Sequence, residues 1–273
     1  MLIILLMVLL VLIVLYLLAI MPRMVHRADV KPFLGRLYAH RGLYDNKTDA
    51  PENSMKAFAK AVEAGYGIEL DIQFTKDEEI VVFHDGNLKR VCGVDKKVCE
   101  FTYEELQQFK LCNSEETIPK FSEVLALIDG QVPLIVEYKS EDTSTKLFEM
   151  GDAMLRQYKG LYCVESFNPL LSYWYRRHNK DVLRGVLSDS YVKENITVLP
   201  KAAYFPLHHL LLNFLAKPDF IAYHHIYHKD LSRVLCQKLF RAPAVAWTIQ
   251  SQEDLEARAR DFDIFIFDSF IPR

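Results

Sequence analysis

Glu69 and Asp71 stand two residues apart inside the apolar run 67–74, and Glu137 and Lys139 repeat that spacing at the end of a second run, 134–138. Side chains two apart on a strand project from one face, so each pair points to a single side of its sheet. Charges in such places are costly unless they are paired or bound to a metal. Glu69, Asp71 and Glu137 make a hard oxygen site suited to Mg²⁺ or Ca²⁺ and poorly suited to zinc. The alternative is an inward ion-pair layer built on Lys139 and Arg41. His40 and His84 each close another apolar run and each precede a charged residue, Arg41 and Asp85. A lone histidine there is ordinarily a satisfied rim residue. Two of them beside three carboxylates fit a base and an acid, because imidazole titrates near neutral pH.

Positioning these groups falls to brief apolar runs that read as strands: 37–39, 67–74, 134–138, 162–166, 183–187, 220–223, 244–249 and 264–267. Between them lie helical segments at 54–64, 122–128, 143–157, 170–178, 230–240 and 252–258. Strands alternating with helices argue for a parallel sheet, and about eight repeats argue for closure. The expected fold is therefore α/β, a (β/α)8 TIM-type barrel. A further run at 80–83 follows a polar turn and is expected to pair with 67–74 as a hairpin extension. Residues 86–119 read as an insertion on one βα loop without evident pocket residues. Because barrels carry their sites at the C-terminal strand ends, the residues above should converge there with Trp247 and Asp268.

The first charged residue is Arg23, and the stretch before it is apolar apart from Tyr16 and Pro22. That length spans a bilayer core at about 1.5 Å per residue. It lacks the basic start, the shorter apolar run and the small-residue cleavage site of a signal peptide. The expected organisation is a transmembrane anchor at 1–22, a basic juxtamembrane linker at 23–34 and a barrel domain at 35–273. Arg23, Arg27 and Lys31 follow the anchor closely, which places a single-pass protein's barrel on the cytoplasmic side. Five scattered cysteines, without a CxxC pair, read as ordinary thiols. A net charge of only -3 with interspersed signs leaves no footprint for nucleic acid.

Seven short motifs occur in order: HRG at 40–42, PEN at 51–53, ELDIQFTKD at 69–77, VVFHD at 81–85, VEYK at 136–139, SFNP at 166–169 and AWTI at 246–249. Together they resemble the glycerophosphodiester phosphodiesterase family over nearly the whole chain from Leu37. The resemblance implies a barrel that hydrolyses glycerophosphodiesters to glycerol 3-phosphate and an alcohol with a divalent metal. It implies catalytic roles for His40 and His84, and metal ligation by Glu69, Asp71 and Glu137. It further implies phosphate contacts from Arg41 and Lys139 and a pocket wall from Trp247. Glu52 becomes a candidate further ligand or supporting group, against its reading as a helix N-terminal charge beside an Asn53 cap. The chain departs from the family pattern at Glu78 and around 262–268, where glycines and a threonine are absent but Asp268 is kept.

A lysophospholipase D-like activity on lysophospholipids is the rival enzyme reading, and a silent anchored binding module is the rival outside catalysis. The apolar stretch 205–216 is either a lipid contact beside the anchor or a barrel helix with one buried face. Of the histidines at 208, 209, 224, 225 and 228, His224 is placed to face the pocket, and the others are expected on helix and loop surfaces without a metal.

Overall fold

A computed structural model describes residues 1–140, 142–194 and 200–273. Its strands are β1 (Leu37–His40), β2 (Gly67–Phe74), β3 (Ile80–Val82), β4 (Leu134–Tyr138), β5 (Tyr162–Glu165), β6 (Gly185–Ser188), β7 (Phe220–His224), β8 (Ala244–Ile249) and β9 (Ile264–Phe267). They hydrogen-bond in the order β5-β4-β2-β1-β9-β8-β7-β6, all parallel, with β3 antiparallel on β2. The two ends of this order meet: Val164 N donates to Leu183 O (3.0 Å), Leu187 N donates to Ser166 O (3.0 Å), and Val164 bridges Arg184. Eight parallel strands thus close into the expected barrel, with the β2–β3 hairpin as an outer extension.

Alternation along the strands sorts the side chains into two cores. The outward set, including Ile68, Leu70, Val136, Tyr138 and Val164, packs under helices through residues such as Phe58, Phe121 and Phe148. The inward set at the N-terminal end is apolar: Tyr38, Ile135, Cys163, Phe220, Val245 and Ile264 form one cluster. Two glycines make room for its rings. A Cβ at Gly67 would lie 2.5 Å from Tyr38 and one at Gly185 would lie 2.1 Å from Phe220. Phe33 joins this cluster from the segment following the apolar helix, and its carbonyl accepts from the Tyr38 hydroxyl (3.1 Å). Residues 23–34 therefore run beneath the barrel and plug it. Moving toward the C-terminal ends, the inward positions turn polar, as described below.

Each expected helix is present within a few residues of its reading. Met55–Glu63 illustrates the local logic: Ser54 caps it by accepting from Ala57 N (3.1 Å), which satisfies a donor the first turn leaves open. Asn53, expected as that cap, instead takes a left-handed backbone (φ 54°) and hands the role to its neighbour. Gly42 is also left-handed (φ 84°), and a Cβ there would lie 2.9 Å from the Ala57 carbonyl carbon. Gly42→Ala should thus destabilise the fold by about 1–3 kcal/mol, read as a lower thermal midpoint than the parent.

The insertion 86–119 builds a satellite core from Val81, Phe83, Leu88, Val91, Val98, Leu106, Leu111 and Ile118. Leu2–Ile20 forms one helix of 19 residues with mean hydropathy 3.5, long and apolar enough to cross a membrane. Its end is tied to the barrel: the Ile20 carbonyl accepts from Asn213 Nδ2 (3.0 Å) and from the Cys236 thiol (3.3 Å). All five cysteines are free thiols.

Candidate active site

The C-terminal strand ends gather the polar inward residues. β2 supplies Glu69 and Asp71, and β4 supplies Glu137 in register with Asp71. One carboxylate oxygen from each of the three lies within 4.8 Å of the others, and all three residues are buried. Lys139, just past β4, stands 2.9 Å from Asp71 and 2.7 Å from Glu137. Arg41, just past β1, donates to Glu52 (2.6 Å) and its Nε lies 3.6 Å from Asp71. An ion-pair layer on Lys139 and Arg41 therefore exists, yet it does not neutralise the cluster. Glu69 is only 2% exposed and, among the described residues, has no Lys or Arg side chain within salt-bridge distance. Its contacts are the Arg41 backbone N–H (3.2 Å) and His40 Nε2 (3.9 Å). Burial and the neighbouring carboxylates push the Glu69 pKa well up. Burial likewise raises Glu137 beyond what Lys139 offsets. Asp71 is the reverse: burial opposes ionisation, but Lys139, His84 and Arg41 hold it well below the usual range. A buried trio of hard donors with surplus negative charge fits a divalent cation.

The two histidines share one geometry. His40 Nδ1 lies 2.8 Å from Asp268, and His84 Nδ1 lies 2.6 Å from Asp85. Burial raises Asp268, but His40, Ser269 and Gln250 outweigh it and hold it at about 2. Asp85 is also held below the usual range, by His84 and Arg90 against burial. Both aspartates are ionised and can only accept, so each Nδ1 carries the hydrogen and each Nε2 presents a lone pair. Burial, then the Arg41 charge, lowers the His40 pKa; burial, then Lys139, brings His84 down to about 4. Both imidazoles are accordingly neutral at pH 7.

Trp247 stands across the barrel on β8. It stacks on His224 (5.1 Å between rings, 16°) and meets Phe167 edge-on (5.5 Å). His224 is oriented by Asp189 (3.1 Å). Together with Tyr191, which meets Phe167 at 5.9 Å, these rings form an aromatic wall.

A match to the model of the glycerophosphoryl diester phosphodiesterase family covers residues 40–270. The chain belongs to that family. Among known relatives, a glycerophosphodiester phosphodiesterase of Bacillus altitudinis is 43% identical over 115 residues, covering 40% of this chain and 46% of the relative. Lysophospholipase D GDPD1 of Rattus norvegicus is 33% identical over 151 residues, covering 50% of this chain and 46% of the relative. The chain thus spans about half the length of the curated relatives it matches. In fold it is similar to an Oleispira antarctica phosphodiesterase solved with the product sn-glycerol-3-phosphate, with TM-score 0.70 and 23% identity over 87% of this chain and 94% of that one. A glycerophosphodiester phosphodiesterase of Thermotoga maritima gives TM-score 0.64 at 23% identity, covering 85% and 94%.

The family motifs explain most of this site, but the roles of three of its residues were not legible in them. Arg90, from the insertion read as lacking pocket residues, clamps Glu52 with both terminal nitrogens (2.7 Å each) and Asp85 with Nε (2.8 Å) and Nη2 (2.9 Å). Glu52 is thereby held at about 2 despite burial. Asn53 donates to Asp71 Oδ2 (2.9 Å) and so fixes that carboxylate. Glu165, the register neighbour of Glu137 on β5, is a further buried inward carboxylate, raised well up by burial and by Glu137. His225, expected on the surface, is only 8% exposed. Because Arg90 steadies the aspartate that orients His84, Arg90→Gln should lower turnover about 10- to 100-fold. Steady-state kinetics beside an unchanged melting curve would check it.

Proposed function

We propose that this chain hydrolyses glycerophosphodiesters to sn-glycerol 3-phosphate and an alcohol, using Mg²⁺ or Ca²⁺ held by Glu69, Asp71 and Glu137. The observation that carries this reading is the buried Glu69, short of a cation, flanked by two Asp–His pairs whose Nε2 atoms are bare acceptors. When bound, the metal supplies charge neutralisation on the phosphate oxygens.

The remaining work falls to the chain's own side chains. A phosphodiester anion repels nucleophiles, so its oxygens must be held and its charge spread. Arg41 and Lys139 take that part, each fixed in place by carboxylates that leave further donors for the substrate. One imidazole Nε2 removes the proton of the attacking hydroxyl, and the other, having first taken up a proton from solvent, delivers it to the leaving alcohol. Asp85 and Asp268 keep both rings in the tautomer this exchange needs. Glu52 supports Arg41 from behind, and the Trp247 ring packs along the glycerol.

A lysophospholipase D-like activity is the second reading. It is supported by exposed apolar side chains on the segment between β6 and β7, with Phe205 at 61% and Phe214 and Leu215 at 46% each. Leu210 and Ala216 in the same segment are buried, so it also serves as a barrel helix layer. Rates on glycerophosphocholine, glycerophosphoethanolamine, glycerophosphoglycerol and lysophosphatidylcholine separate the two. A preference for the lysolipid would move the assignment to lipid cleavage.

For location, the proposal is a single-pass membrane protein whose barrel faces the cytoplasm, supported by Leu2–Ile20 and the basic residues that follow it. Protease added to intact cells should leave the barrel uncut until the membrane is opened. Cleavage before opening would put the barrel outside.

A further inference from the structure

A cavity of about 390 Å³ opens where the chain leaves its apolar helix, far from the strand ends that carry the catalytic cluster. Its cationic lining is Arg23, Arg176, Lys180, Arg184 and Lys217, with His26 beside them, and among the described residues no acidic side chain lines it. Arg184 precedes β6 and Lys217 precedes β7, so the cavity lies at the N-terminal end of the barrel.

The cations are positioned mainly by carbonyl oxygens, which fix a side chain without cancelling its charge. Arg176 donates to Leu215 O (2.8 Å), Lys217 to Met21 O (3.1 Å), Arg184 to Lys217 O (3.1 Å) and Arg23 to Lys180 O (3.0 Å). One carboxylate, Asp219, is in contact, 3.2 Å from Arg23 and 3.6 Å from Arg184 Nη1. Arg184 is 1% exposed, and among the described residues its Nε and Nη1 have no hydrogen-bond partner. Asp219 offsets part of this buried charge, and the two donors left without a hydrogen bond can take a further anion. Burial, opposed by Asp219 and reinforced by Arg23 and Arg176, brings its pKa down to about 10.

We infer that this cavity binds the phosphate of an anionic phospholipid headgroup at the membrane surface. The inference rests on the proposed reading of Leu2–Ile20 as a bilayer span. Residues 21–26, which form one wall, then follow directly on the helix end, within reach of the headgroup layer. Met21, Pro22, Met24 and Val25 contribute the apolar part of the lining, which suits the glycerol backbone beside the phosphate. Basic clusters next to a membrane helix attract anionic lipid in this way.

The test uses the full chain purified in a phosphate-free detergent buffer. Binding is measured separately for dioctanoyl phosphatidylglycerol, dioctanoyl phosphatidylcholine and inorganic phosphate. The expected result is saturable binding of phosphatidylglycerol near one per chain, with phosphatidylcholine much weaker. The double variant Arg176→Gln/Lys180→Gln, at two exposed positions, should weaken phosphatidylglycerol roughly tenfold or more while leaving glycerophosphodiester turnover unchanged. Arg184→Met should do the same, its folding checked by melting. Equal binding of the two lipids, or unaltered phosphatidylglycerol binding in the double variant, would overturn the inference. Inorganic phosphate binding as tightly as phosphatidylglycerol, and lost in the same variants, would make this a free-anion site and overturn the lipid assignment. Carbonate extraction of cell membranes tests the span separately: release of the chain would refute the anchor, whatever the detergent binding shows.

Discussion

His40→Ala and His84→Ala should each lower turnover by about two to four orders of magnitude with folding preserved, the range for losing a proton-transfer group. Each ring presents Nε2 to the site while Nδ1 is committed to an aspartate, His40 to Asp268 and His84 to Asp85. Removing either ring takes one partner from that aspartate but does not open the apolar core, which sits at the other end of the barrel. The loss should fall on kcat more than on KM, because Arg41 and Lys139 would still hold the phosphate. Steady-state rates for both variants, beside their melting curves, give the comparison. A folded variant of either histidine that turns over near the parent rate would remove the acid–base scheme and favour a silent binding module.

Exhaustive chelation should abolish activity, and Mg²⁺ or Ca²⁺ should restore it. Glu69→Gln should weaken metal affinity about 10- to 100-fold or more, since it neutralises one of three hard donors. Without the metal, the three carboxylates repel one another in a buried site that Lys139 and Arg41 only partly neutralise. Metal binding should therefore also raise the thermal midpoint of the parent, by linkage to folding. The same addition should move Glu69→Gln much less. Elemental analysis of the purified chain and melting curves with and without metal provide readouts independent of catalysis. Full activity in a chelated, metal-free sample would return the carboxylates to a purely ion-pairing role.

The barrel was readable because its determinants are local. Short apolar runs such as 134–138 and 162–166 are bounded by polar segments with helical spacing, and this alternation carries the fold in sequence order. The two-residue spacing of Glu69 and Asp71 likewise states that both face inward, as β2 presents them. What stayed hidden depends on distant partners. Arg90 meets Glu52 across 38 positions, and nothing in its own neighbourhood distinguishes it from a surface charge. Asn53 looks like a helix cap because Ser54 follows it, and only the approach of Asp71 shows why its amide is needed. Phe33 sits in a stretch whose charges suggest a linker, while its ring closes the barrel floor. His225 reads as a surface residue among other histidines, yet the turn after β7 folds it inward.

The proposed reaction cleaves a glycerophosphodiester on the alcohol side of its phosphorus. Phosphorus NMR of the purified chain with glycerophosphocholine and Mg²⁺ or Ca²⁺ tests it most directly, because the two possible products resonate apart. Metal-dependent loss of the diester with stoichiometric appearance of sn-glycerol 3-phosphate is the expected result. Release of phosphocholine in its place, or an unchanged diester with both metals present, would contradict it.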